Sequence, residues 1–176
     1  PRFQIITENS LNLFQRLKSI KDTFNTQIVI KKDGLCGGKG VYVEGDHFNM
    51  NNLSETSAFI MELENYITHE NNTIVVEEKL NGIEFSLMTL TDSNGYVHLK
   101  PVLDYKRLED GDRGPNTGSM GCVLPSDDTL LNMIDTNLIW EAENLNRRVI
   151  NCLDGYQGVL YGSFMISNNE LKVIEF

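Results

Sequence analysis

Apolar residues recur along this chain with two spacings, one helical and one alternating, and the switches between them divide it into elements. Leu11, Phe14, Leu17 and Ile20 recur at helical spacing, with Ser10 placed to cap the helix. The runs Gln27–Lys31 and Gly40–Val43 predict two strands around a glycine-rich turn. Residues 44–52 are polar and read as a loop. Phe59, Leu63 and Ile67 predict a helix over Leu53–Ile67, with Ser54 near its start. Thr73–Glu77, Glu84–Thr91 and Tyr96–Val102 read as strands, the last two joined by a turn over 92–95. Residues 103–128 are rich in Gly, Asp and Pro and follow neither spacing, so they read as one long loop, either functional or disordered. Leu130, Ile134, Leu138, Ala142, Leu145 and Val149 mark a long amphipathic helix. Gly158–Ile166 and Leu171–Phe176 close the chain as a strand pair. This succession indicates an α+β fold with a largely antiparallel sheet.

Composition narrows the function classes. The 176 residues suffice for one sizeable core or two small lobes. A net charge of −10 argues against nucleic-acid or membrane-surface binding, which needs a basic face. No apolar run approaches the roughly 20 residues that span a bilayer. The start, Pro1-Arg2-Phe3-Gln4, has neither a secretory h-region nor a Met, so the chain is expected to begin inside a longer protein. Cys36, Cys122 and Cys152 are odd in number and widely spaced, which suits free thiols in a reducing cytosol and a cytoplasmic location. His47, His69 and His98 lack metal-ligand spacing.

Against that acidic background the segment Ile28–Val43 stands out. Lys31 ends one strand, and Lys39 lies in a turn with Gly34, Gly37, Gly38 and Gly40. Glycines let the backbone approach a bulky ligand, and successive N–H groups in such a turn cradle anions. Two lysines could grip a polyphosphate from both sides. The spacing is not that of a Walker loop, since three residues separate Gly34 from Gly38 and Gly40 follows Lys39. A plain β-turn with solvated lysines fits the same residues. Further on, Val75–Ser86 reads as strand, linker and strand. The linker backbone can meet an adenine edge, Glu77 its exocyclic amine and Glu84 both ribose hydroxyls, since an ionised carboxylate only accepts. The alternative is that Glu77, Glu78 and Glu84 are solvated strand charges. In the stretch 104–121, Gly114, Gly118 and Gly121 open the backbone to a ligand, and Asp104 can pair with an ammonium. Ile174 and Phe176 flank Glu175, which therefore faces the other side of its strand, as a Mg²⁺ ligand beside phosphates or simply as a charged strand end.

Taken together, Ile28–Val43, Ile74–Ser86, Leu103–Gly121, Gly158–Met165 and Lys172–Phe176 resemble the ATP-grasp fold. Within it they resemble the phosphoribosylamine–glycine ligases (glycinamide ribonucleotide synthetases). The most specific match is Asp104-Tyr105-Lys106-Arg107 followed by the run from Asp110 to Gly121. The resemblance implies two lobes with largely antiparallel sheets enclosing a nucleotide site. Residues 1–90 would form the small lobe, with phosphate loop and adenine hinge, and 91–176 part of the large lobe, with the substrate loop. It implies ATP as co-substrate, with its phosphates on Lys31 and Lys39 in the loop of Gly37, Gly38 and Gly40. Adenine would lie on Glu77, Glu78, Lys79 and Leu80, and the ribose on Glu84. Glu175 would bind Mg²⁺ (or Mn²⁺). Asp104, Lys106, Arg107, Asn116, Thr117 and Gly118 fall at the positions for glycine and 5-phosphoribosylamine. The implied reaction phosphorylates the glycine carboxylate, and the amine then attacks, giving glycinamide ribonucleotide, ADP and phosphate in purine biosynthesis. No catalytic side chain is singled out, and neither nucleic acid nor membrane is implied as a partner.

The chain departs from the family pattern in places. Cys36-Gly37 replaces Ala-Ala, Ile83 replaces an acidic residue, and Lys32 and Ser119 replace a usual alanine and glycine. Residues 68–73 lack the usual Phe-Gly-rich loop. The family's segment bearing a second Mg²⁺ ligand, an asparagine, would come directly after Phe176. The chain is therefore expected to be the ATP-grasp core of a longer ligase whose remaining domains are its partners, and at most weakly active alone. The alternative is a non-catalytic or degenerate nucleotide-binding module.

Overall fold

The computed structural model describes residues 1–7, 12–34, 36, 40–70, 72–92, 94–111, 113–126 and 133–176. The chain forms two compact units, Pro1–Lys79 and Leu80–Phe176.

The first unit runs β1 (Phe3–Ile6), α1 (Leu13–Phe24), β2 (Ile28–Lys32), β3 (Val41–Val43), α2 (Leu53–Glu70) and β4 (Ile74–Glu78). Its sheet has the order β1-β4-β2-β3, with every pairing antiparallel. Alternation sorts the strand residues: Ile28, Ile30, Ile74 and Val76 are fully buried and pack with Leu17, Ile20, Leu63 and Ile67 of the helices. Val29, Lys31, Val75 and Glu77 share the opposite face by register. The cap of α1 is Asn12, whose side chain accepts from the Gln15 N–H; the expected cap, Ser10, lies outside the described residues. The stretch 44–52 holds a buried acid. Glu44 is 2% exposed and takes the Lys21 ammonium at 2.5 Å and the Ile28 N–H at 3.0 Å, so its charge is compensated. Strand β1 was not foreseen: Phe3 and Ile5 are exposed and only Ile6 is buried, which leaves no alternation to read.

The second unit runs β5 (Ile83–Asp92), β6 (Gly95–His98), β7 (Leu103–Glu109), β8 (Arg113–Val123), α3 (Thr136–Cys152), β9 (Gly158–Ser167) and β10 (Glu170–Glu175). Its antiparallel sheet has the order β10-β9-β5-β6. Phe85, Leu87 and Phe164 form a core with Leu138, Ala142 and Leu145 of α3. Asp135 caps α3 by accepting from the Asn137 N–H; Leu130, the expected first turn, lies outside the described residues. Strand β5 runs through 90/91, where the sequence places a lobe boundary, and the division falls at Lys79/Leu80 instead. Strand β6 ends at His98, and Val102 makes only an isolated bridge to Ser86.

The largest departure from the sequence reading is at 103–128, which is not a loop throughout. Strands β7 and β8 form an antiparallel ribbon whose register shifts twice, between Tyr105 and Arg107 and between Arg107 and Glu109. Each shift flips the faces, so no continuous alternation survives in the sequence. Gly111 and Gly114 turn the ribbon at φ +73° and +80°, values that favour glycine.

Candidate nucleotide and substrate site

In the first unit, Lys31 and Glu77 lie diagonally across β2 and β4, and the Lys31 ammonium sits 3.0 Å from the Glu77 carboxylate. Two residues expected at ATP are thus brought together on the face away from the helices. Gly37, Gly38 and Lys39 lie outside the described residues. Gly40 closes the base of the loop: its carbonyl accepts from the Lys32 N–H at 2.8 Å. A Cβ at Gly40 would stand 2.7 Å from that of Cys36, so glycine is required there.

Lys32 ties that base to α2. Its ammonium meets Glu62 at 2.7 Å and lies 5.4 Å and 4.9 Å from the ring centroids of Tyr42 and Tyr66. The Tyr66 hydroxyl donates to the Asp33 carbonyl at 2.7 Å. Burial opposes the Lys32 charge, but Glu62 and Tyr42 outweigh it and hold its pKa above the ordinary value. The hydrogen bond from Lys32 holds Glu62 below the usual carboxylate range.

The hinge residues are engaged in holding the unit together. Glu78 accepts the Arg2 N–H at 2.9 Å and its guanidinium at 2.7 Å. Burial works against the Glu78 charge, yet the Arg2 bonds keep its pKa below the ordinary value. The Lys79 N–H donates to the Gln27 carbonyl at 2.8 Å, and its ammonium to the Glu44 carbonyl at 3.0 Å. Leu80 opens the second unit.

In the second unit one sheet face carries α3 and the other is polar. Register sets Glu84 opposite Met165, Ser86 opposite Ser163 and Met88 opposite Tyr161 on that polar face. Glu175 reaches it through a bulge. Val173 pairs with Phe164 and Glu175 with Ser163, leaving Ile174 as the extra residue. Unbroken alternation would put Glu175 on the side of Leu171 and Val173, which pack into the core. The bulge turns the carboxylate to the polar side, and Phe176 meets the buried Phe164 ring edge-on at 6.2 Å. The bulge thus decides which sheet side Glu175 takes, which alternation with its neighbours Ile174 and Phe176 alone does not.

Lys106, from β7, lies over this face. Its ammonium is 2.5 Å from Glu84 Oε1, which also accepts the Ser163 hydroxyl at 3.2 Å. Asp104 Oδ2 is 3.9 Å away. The Ser86 hydroxyl donates to the Tyr161 oxygen at 3.0 Å. Burial disfavours the Lys106 charge, but Glu84 outweighs it, with Tyr161 and Glu175 adding, and the ammonium titrates above its ordinary range. A residue expected at the second substrate is therefore paired with one expected at the ribose. Sequence reading missed this contact, along with Ser86, Tyr161 and Ser163. The alternation of Glu84-Phe85-Ser86-Leu87 and Tyr161-Gly162-Ser163-Phe164 was the signal for the shared face.

The remaining substrate-loop positions lie on the ribbon. Asp104 Oδ1 accepts the Ser119 hydroxyl at 2.6 Å and the Cys122 thiol at 3.5 Å. The Thr117 hydroxyl donates to the Lys106 carbonyl at 2.9 Å, and the Arg107 guanidinium to the Gly114 carbonyl at 2.8 Å. Asn116 pairs with Arg107 in the ladder, and its side chain lies outside the described atoms. Open space lies where a Cβ would stand at Gly118. Among the described residues no group of three or more His, Cys, Asp or Glu is set to hold a metal. Glu175 is a single carboxylate, which fits a Mg²⁺ ion completed by phosphate oxygens and water. Among the described residues no helix is long and apolar enough to cross a membrane.

Residues 3–176 match the family described as phosphoribosylglycinamide synthetase, ATP-grasp (A) domain. The phosphoribosylamine–glycine ligase of Methanocella arvoryzae is 35% identical over 159 residues, which is 86% of this chain and 34% of that protein. The human trifunctional purine biosynthetic protein adenosine-3 is 36% identical over 155 residues, 85% of this chain and 14% of that protein. The chain thus spans about a third of the length of the curated ligases it matches. Among solved structures, the phosphoribosylamine–glycine ligase of Thermotoga maritima superposes with a TM-score of 0.68 at 31% identity, covering 99% of this chain and 42% of that one. D-alanyl-alanine synthetase A of Vibrio cholerae gives 0.67 at 13% identity over 98% of this chain and 48% of that one, a likeness of fold alone. With its α+β, largely antiparallel ATP-grasp architecture, the chain belongs to the phosphoribosylglycinamide synthetase ATP-grasp (A) domain family.

Proposed function

We propose that this chain is the nucleotide-binding core of an ADP-forming ligase that joins glycine to 5-phosphoribosylamine. The observation that carries the reading is the polar sheet face of the second unit, where Glu84, Lys106 and Glu175 converge within a family match that spans almost the whole chain. Glu84 accepts from the ribose hydroxyls, and Glu77 from the adenine amine. Lys31 and Lys39 neutralise the phosphates. The Lys79 N–H is committed to Gln27, so the adenine edge is met by other hinge groups. Glu175 contributes one ligand to Mg²⁺ (or Mn²⁺), which when bound offsets phosphate charge.

In the reaction, a glycine carboxylate oxygen attacks the γ-phosphorus and ADP leaves. The amine of 5-phosphoribosylamine then attacks the acyl carbon, loses a proton and expels phosphate. Catalysis of this kind rests on positioning and charge neutralisation. Asp104 suits an ammonium, and the open backbone at Gly118 suits a close-fitting substrate. The test is ADP release by the longest natural protein that contains this chain. Release should require glycine and 5-phosphoribosylamine together. ATP binding without ADP release under those conditions would instead favour a non-catalytic nucleotide-binding module.

A further inference from the structure

Lys106 stands where the ribose is expected to bind. Its ammonium lies on Glu84 Oε1 at 2.5 Å, the carboxylate assigned to the sugar hydroxyls, and both side chains are only about a quarter exposed, 23% and 24%. Ser163 holds the same oxygen at 3.2 Å, which fixes the carboxylate against the sheet. A second acceptor near Lys106 is Asp104 Oδ2 at 3.9 Å, two residues back along β7 on the substrate ribbon. The Lys106 carbonyl in turn holds the Thr117 hydroxyl, and Asp104 holds Ser119, so this short stretch of β7 carries both walls of the expected substrate loop.

We propose that Lys106 is a positioning residue that guards Glu84 and is handed to Asp104 when a ribose arrives. This rests on the reading of Glu84 as the ribose acceptor. A diol that takes Glu84 Oε1 must displace the ammonium, because an oxygen already sharing Lys106 and Ser163 has little accepting capacity left. The displaced charge is not stranded, since Asp104 is within a small rotation of the side chain. Nucleoside occupancy thereby changes the ion pairing of the substrate ribbon before the second substrate binds. Lys106 and the ribose compete for one carboxylate, so removing Lys106 should tighten nucleoside binding. A purely structural lysine would do the opposite.

The test uses adenosine, which lacks phosphates, with ATP alongside, in titrations of the full chain. Lys106→Met should bind adenosine about three- to tenfold more tightly than wild type, the scale of losing one partly buried competing ion pair. The gain should vanish when Lys106→Met is combined with Glu84→Gln. Lys106→Gln, which keeps a polar side chain in the same place, gives a second reading should the methionine variant fold poorly, and it should show the same direction. Wild type that binds ATP, with adenosine affinity unchanged or weakened in both Lys106 variants, overturns the hand-over and leaves the nucleotide site standing. Wild type that binds neither ATP nor adenosine overturns the nucleotide reading and this proposal with it.

Discussion

Ser119 sits at φ +141°, where a side chain is strained and where the family resemblance calls for glycine. What holds it there is visible. Its hydroxyl donates to Asp104 at 2.6 Å and accepts the Gly121 N–H at 3.1 Å, while its own N–H reaches the Thr117 hydroxyl at 3.2 Å. The serine trades backbone strain for a fastening of the ribbon. This separates two substitutions that ordinarily rank the other way. Ser119→Ala keeps the strain and loses the hydroxyl, whereas Ser119→Gly loses the hydroxyl and releases the strain. The glycine variant should therefore be more stable than the alanine variant by about 1 kcal/mol in urea unfolding. An alanine variant at least as stable as the glycine variant would mean that no strain is stored. At this scale the sequence announced residue types but not their partners. Lys31, Glu77, Glu84 and Glu175 were readable as chemistry, because charge in or beside an apolar run is conspicuous. That Lys106 rests on Glu84, and Lys32 on Glu62, depends on residues 22 and 30 positions apart, and no local pattern encodes such pairs.

Elements were legible where one face is packed. Helices α1 and α2 and strands β5 and β9 each bury one side, and burial writes the period into the sequence. Strand β1 buries only Ile6, and the β7–β8 ribbon buries little and shifts register, so they left almost no period to read. The seam between α3 and β5 shows how a packed face also accommodates a polar group. Asn146, fully buried, donates to the Leu87 carbonyl and the Thr89 hydroxyl, each at 2.9 Å. Thr89 Oγ1 also hydrogen-bonds His98 Nδ1, 2.8 Å away, in a direction set by the imidazole tautomer. Burial lowers the His98 pKa, with Glu143 opposing and Arg147 assisting. The sign follows. As pH falls below the ordinary histidine value of about 6.5, the unfolded chain takes up the proton first, so folding stability is full above that pH and declines as pH drops through the depressed folded value. Urea unfolding between pH 8 and pH 5 should show a steeper loss on acidification for wild type than for His98→Gln. Parallel curves would show that His98 titrates alike in both states.

At the scale of the molecule, the α+β class was legible from the succession of elements, whereas chain length left one core or two lobes open and only the family resemblance implied two. In the structure Phe85 and Leu87 of β5 share a core with α3 and Phe164 of β9. The first core gathers Ile6, Leu17, Ile30, Leu63 and Ile67, and the second Phe85, Leu87, Ala142 and Phe164, with none in common among the described residues. Stability measured on such a chain need not be one number, since two-state behaviour belongs to a single cooperative core. Trp140, the only tryptophan, lies on α3 in the second unit, so its fluorescence reports that unit alone, whereas far-ultraviolet circular dichroism reports both. Leu63 is fully buried in the first core, and Leu63→Ala should cost that unit about 2–5 kcal/mol through lost burial and the cavity left behind. In urea the variant should therefore shift part of the dichroism transition to lower denaturant while the Trp140 transition stays where it was. If both signals move together by the same amount, the cores are thermodynamically one, and substitutions in either unit must then be read as changes to the whole chain.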